Sequence, residues 1–206
     1  MSFLPELHVH KVTMHANGRW ALFGKYTAIA CDKFKQVVLD ITDEWPVRYR
    51  ILMLTESGLQ FCGYYHRKLH KAQAELAMLR TAEMPDPSLP LFGNVRKHLR
   101  GTPMTILHYE FPDYEPTLNN NTKSIMFGPD HSFAIDQIEM ISLINAPYSP
   151  TNRVDYQFRI LLITTERQLI AGKQASLAEV DRQIKMIQRW SPDAPPAVTS
   201  PPVSRI

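Results

Sequence analysis

The sequence predicts an α+β, mostly-β fold in two similar copies, each a set of short strands closed by one amphipathic helix. Three observations carry this expectation. Residues 21–41 lie without a gap on residues 125–145, with five identities in 21 positions: Phe23-Gly24 on Phe127-Gly128, Ala30 on Ala134, Asp32 on Asp136 and Leu39 on Leu143. The block Tyr49-Arg50-Ile51-Leu52-Met53-Leu54-Thr55 returns as Phe158-Arg159-Ile160-Leu161-Leu162-Ile163-Thr164, followed by Gly63 and Gly172. Each copy then ends in a stripe, Leu69, Ala72, Leu76 and Leu79 or Leu177, Val180, Ile184 and Ile187, spaced as on a helix with one face against a core. Similarity in a fixed order of this kind marks a duplicated unit.

The elements follow in order. Residues 7–15 alternate and residues 19–31 are strand-like, with Asn17-Gly18 between them, a dipeptide that favours the positive φ angles of a tight hairpin. Phe23-Gly24 and Phe127-Gly128 read as a core aromatic followed by a tight bend. Residues 34–41 and 49–55 are apolar strands, Ser57-Gly58 is a turn, residues 59–65 form another strand and residues 67–81 the helix. The second copy repeats this order with about five extra residues within 145–155, expected at a hairpin tip because insertions collect in loops. Ser176-Leu177-Ala178-Glu179 is a capping-box sequence, and Ser191-Pro192 stops the second helix because proline has no amide hydrogen to donate.

These patterns divide the chain into a first repeat at 1–83, a linker at 84–103 with a short basic helix at 92–99, a second repeat at 104–190 and a proline-rich tail at 191–206. The strand opened by an aspartate (Asp32-Lys33-Phe34-Lys35-Gln36-Val37-Val38-Leu39 and Asp136-Gln137-Ile138-Glu139-Met140-Ile141-Ser142-Leu143), the Arg-Ile-Leu-x-[Leu/Ile]-Thr strand, the glycine and the helix together resemble the bacterial pleckstrin-homology-like (GRAM-like) domains. That resemblance implies two tandem small β-barrels or sheets, each closed by its C-terminal helix. It also implies a binding role, with lipid headgroups as a candidate ligand. The alternative is one domain with a continuous sheet made from two such units.

Composition narrows function by exclusion. With 206 residues, 44% hydrophobic and 21% charged, the chain is globular in character. A net charge of +3 is too small to mark a dedicated nucleic-acid protein. The halves differ in sign: residues 1–103 hold 14 Lys and Arg against 9 Asp and Glu, or +5, and residues 104–206 hold 9 against 11, or −2. No leader-like or membrane-length apolar run is seen, so a cytoplasmic location and reduced thiols at Cys31 and Cys62 are expected. No nucleophile elbow, phosphate loop or dinucleotide fingerprint occurs, so catalysis, a cofactor and a small-molecule substrate are not expected.

Two histidine pairs have the spacing of metal ligands for a hydrolase, His8 with His10 on one strand face and His66 with His70 at i, i+4, with a carboxylate such as Asp32 to complete the set. Solvated histidines and no metal are the expectation, because no third ligand has motif spacing. Asp32 and Asp136 are expected to serve local backbone amides in domains far apart. Arg50 and Arg159 should each pair with a carboxylate of their own copy. A specific phosphoinositide site is not expected, since the first hairpin offers only Lys11, Arg19 and Lys25 and the second copy carries Glu110, Asp113 and Glu115 there. The expected function is a non-enzymatic protein-interaction module, an adaptor or structural subunit of a cellular or viral assembly that binds a protein partner or self-assembles. Its contacts are assigned to exposed sheet edges, the tail and the hairpin around residues 147–154, with Tyr148 as anchor beside Pro150 and Arg153. The alternative is peripheral binding of anionic lipid through Arg67, Lys68, Lys71, Arg96, Lys97 and Arg100.

Overall fold

A computed structural model describes residues 7–42, 45–80, 106–145 and 158–190. The first repeat contains β1 (Val12–Met14), β2 (Trp20–Phe23), β3 (Thr27–Ala30), β4 (Phe34–Ile41), β5 (Tyr49–Thr55), β6 (Gln60–Cys62) and helix α1 (Leu69–Leu79). The second contains β7 (Leu107–Glu110), β8 (Pro116–Asn119), β9 (Ser124–Phe127), β10 (His131–Ala134), β11 (Ile138–Asn145), β12 (Phe158–Thr164), β13 (Gln168–Ala171) and helix α2 (Leu177–Gln188). The fold is thus mostly β with helices, as the patterning requires. Strands β4 and β5 fall on the expected residues. β1 is shorter than the alternation at 7–15 suggests, because Leu7–Val9 turn as a 3-10 helix.

The duplication extends to backbone detail. Short 3-10 turns, Cys31–Lys33 and Ile135–Gln137, precede β4 and β11. Each of these strands then shifts register against its partner, at Phe34/Gln36 and at Ile138/Met140. Gly24 and Gly128 both have φ +70, a conformation open to glycine at little cost, while Phe23 and Phe127 beside them are buried. Each helix is preceded by a single strand-like bridge, Tyr49 with His66 and Phe158 with Ala175.

The connection of the copies departs from two separate tandem barrels or sheets and follows the alternative of a continuous sheet made from both units. The sheets are open rather than closed into barrels, and one seven-stranded sheet runs β1-β2-β3-β11-β12-β13-β7 through both copies. The junction is antiparallel pairing of β3 with β11, Met140 opposite Ile29 and Ile141 opposite Ala28. The remaining strands form two three-stranded sheets, β4-β5-β6 and β8-β9-β10. The core is mixed accordingly: Trp20, Ala28 and Ala30 of the first copy pack with Ile141, Val180, Ile184 and Ile187 of the second, and Met140, Leu161 and Ile163 pack with Phe23, Ile51 and Met53. Full burial of one such aliphatic side chain contributes about 1.5–3 kcal/mol, so these exchanges bind the copies strongly.

Polar contacts add direction. Asn17 Nδ2, in the β1–β2 hairpin, donates to the carbonyls of Gln188 and Trp190 at 2.9 and 3.3 Å, closing the C-terminal end of α2 where carbonyls lack helical partners. The Arg19 guanidinium donates to the Ile135 carbonyl at 2.8 Å and lies 5.1 and 5.2 Å from the Trp20 and Trp190 rings. At the other end of α2 only half the capping box forms. Ser176 Oγ accepts from the Glu179 amide at 3.3 Å, whereas the Glu179 carboxylate turns to Arg182. The short basic helix, linker, tail and second hairpin tip assigned above lie outside the described residues.

Candidate functional site

The β4–β5 hairpin narrows to a tip held by two hydrogen bonds, Thr42 N–H to the Arg48 carbonyl and Arg48 N–H to Thr42 Oγ1, both 3.0 Å. Above them Trp45 is 91% exposed and Val47 44%. No other large apolar side chain in the described residues is as open to water as Trp45. Tyr49 and His66 exchange two backbone hydrogen bonds, 2.8 and 2.7 Å, so residue 67 comes back opposite residue 48 in an antiparallel bridge. Arg48, Arg67, Lys68 and Lys71 are all exposed, and Leu69 is 39% exposed beside them. Arg67, one of the cations assigned to lipid binding, therefore lies across from Arg48 at the base of the Trp45 tip, and Lys68 and Lys71 follow it at the start of α1. Arg96, Lys97 and Arg100 lie outside the described residues, as do Tyr148, Pro150 and Arg153.

The hairpin stands on an ion pair between a buried arginine and a half-buried aspartate. Arg50 sits directly opposite Asp40 in the β4–β5 register, donates from Nε to Asp40 Oδ2 at 2.7 Å and from a terminal nitrogen to Tyr65 Oη at 2.6 Å, and lies under the Tyr65 ring. Its repeat counterpart Arg159 donates to the Gly172 carbonyl at 2.6 Å and pairs with Glu110 at 3.3 Å. Both arginines find a carboxylate in their own copy, as expected from sequence. Planar guanidinium groups tolerate such burial because several donors are satisfied at once.

The histidines are not arranged as the spacing suggests. Helix α1 begins at Leu69, so His66 lies before it and does not share a helical face with His70. Rather than solvated, His66 is buried, with Nε2 2.8 Å from Glu75 Oε2. The other Glu75 oxygen accepts from the Val12 amide at 2.8 Å, which ties α1 to the edge strand β1. His8 belongs to the 3-10 turn and not to a strand. No group of three His, Cys, Asp or Glu side chains suited to a metal occurs among the described residues.

Asp32 and Asp136 are also placed differently from expectation. Both are exposed in the matched 3-10 turns. Because β3 pairs with β11, both act on one residue, Arg19, whose pKa is lowered chiefly by burial and raised by each of these carboxylates. They are not in distant domains. Neither accepts from a backbone amide among the described residues, and Asp32 lies 3.9 Å from Lys33.

A second contact between the copies was hidden in the sequence. Glu139 of β11 is fully buried and accepts from the Ser57 amide at 3.0 Å and the Ser57 hydroxyl at 2.5 Å. Burial pushes its carboxyl above the ordinary range, and the hydrogen bonds from Ser57 and Thr55 act in the opposite direction. The thiols of Cys31 and Cys62 are free. Burial pushes the Cys31 thiol up to about 11, with Asp32 adding to it.

No family model, curated protein or solved structure matches this chain. No helix among the described residues is long and apolar enough to cross a membrane.

Proposed function

We propose that the chain is a non-enzymatic interaction module, an adaptor or structural subunit that docks a protein partner through the β4–β5 tip. The observation that carries this is Trp45, 91% exposed at the end of a hairpin anchored by the pairing of buried Arg50 with half-buried Asp40. A tryptophan in water forgoes the burial its large ring could gain, and tryptophan and arginine are enriched among residues that dominate protein interfaces. A rigid base limits the ordering entropy lost on docking. The repeats are proposed as distant pleckstrin-homology-like units, supported by the strand order and closing helix in each. A cytoplasmic setting is proposed with them, in keeping with the free thiols. Anionic lipid is the alternative ligand for the same cationic surface.

The test is purification of the tagged full chain from its native host, as wild type and as Trp45→Ala, with matched thermal unfolding. The expected result is a stoichiometric protein partner on the wild type that is lost from the variant. Retention of that partner by Trp45→Ala would contradict the assignment.

A further inference from the structure

We propose that the cationic surface around Trp45 docks head-to-tail onto an acidic, tyrosine-bearing surface of the second repeat in another copy of this chain. This rests on the interaction-module reading and names its partner. Arg48 lies across from Arg67 beside the Tyr49–His66 bridge, with Lys68 and Lys71 next along the chain and all four exposed, and like charges set opposite one another are unfavourable. The nearby carboxylate of Asp40 is already held by Arg50. Residues 43–71 of the sequence hold five Lys and Arg against three Asp and Glu, or +2. An acidic surface would relieve that repulsion while covering the indole.

The second repeat presents such a surface. Tyr109 and Tyr114 are 38% and 43% exposed, and Leu107 is 52% exposed. The Tyr114 ring lies over Gly128, where a Cβ would come within 2.8 Å of it. This packing sets the β9–β10 turn, with Asp130, beside the β7–β8 turn, with Asp113. Both aspartates are exposed and have no ion-pair partner among the described residues, whereas nearby Lys173 faces Glu115 at 4.0 Å. An aromatic centre with a charged rim on each side, opposite in sign, is the composition of a specific interface. The +5 and −2 balances of the two halves steer the same approach. Because the two surfaces differ, the contact is heterologous, and it propagates into a ring or an open chain.

The test is sedimentation velocity on the full chain across concentration and salt. Concentration-dependent assembly is expected, weakened by salt and by about tenfold or more in Trp45→Ala, the range of an interface hot spot. Arg67→Glu/Lys68→Glu and Asp113→Lys/Asp130→Lys should each be monomeric alone. Mixed, they should form a 1:1 dimer, because each supplies the surface the other has lost, a recovery that misfolded variants could not give. A wild type monomeric at every concentration would overturn the proposal, as would assembly unaffected by Trp45→Ala or a mixture that stays monomeric. Binding of vesicles about one-third phosphatidylserine that depends on Trp45, without self-association, would overturn it by assigning the surface to a membrane. The module reading would survive a monomeric result if the host partner were still lost from Trp45→Ala.

Discussion

Replacing Glu139 probes the junction of the copies at its most buried polar point. Glu139→Ala leaves the Ser57 amide without an acceptor, while the Ser57 hydroxyl keeps Thr55 Oγ1 at 3.1 Å. An unsatisfied buried donor costs about 1–3 kcal/mol, so a loss of about 2 kcal/mol is expected. For a chain of this size that is a fall of about 4–8 °C in the unfolding midpoint. Glu139→Gln keeps an acceptor and removes the titration. Since burial raises the folded-state pKa of Glu139 above its unfolded value of about 4.3, the folded chain holds this proton more tightly than the unfolded chain. Its contribution is full below the unfolded pKa and is lost as pH rises through the raised folded value. Urea unfolding followed by far-ultraviolet circular dichroism should therefore show this contribution declining with pH in the wild type, with Glu139→Gln lacking that decline. A Glu139→Ala variant as stable as wild type, or a wild type and Glu139→Gln with identical pH profiles, would refute the reasoning.

Two further outcomes follow from packing and burial. A Cβ at Gly63 would lie 2.4 Å from Ile51 Cγ1, against 3.0 Å from Ile160 Cγ2 at Gly172; Gly63→Ala should therefore cost more than Gly172→Ala in urea titrations, within the roughly 1–3 kcal/mol of overpacked sites. Iodoacetamide at mildly alkaline pH should label Cys62 before Cys31, because burial holds the Cys31 thiol protonated up to about 11; peptide mapping showing Cys31 labelled first in the folded chain would contradict its placement.

The duplication, the residue limits of β4 and β5, and the helix stripes apart from their first members, Leu69 and Leu177, which are 39% and 38% exposed, were legible because apolar periodicity reports which face of an element is buried. It does not report which strand lies alongside. The exchange that seats β3 on β11 was therefore invisible, and with it the meeting of Asp32 and Asp136 at Arg19. Glu139 and Ser142 in the apolar strand β11 were local signs of buried polar contacts, though nothing near them in sequence pointed to Ser57 or Thr27. His66 and His70 misled because their spacing presumes a helix that starts only at Leu69. Trp45 lies between the two strand patterns, in a short polar stretch beside Pro46. Its signal was the placement of a large aromatic where no strand or helix pattern could bury it.

Hydrogen exchange with mass spectrometry on the full chain, at low and high protein concentration, tests most directly the claim that two fused repeats form one scaffold presenting a docking tip. β3 and β11 should open together at the same, highest free energy, because each is a central strand of the shared sheet. The tip around residues 45–48 should exchange fast in dilute protein and gain protection as concentration rises. Repeats that open independently, with β3 and β11 unprotected against each other and the tip insensitive to concentration, would contradict the account.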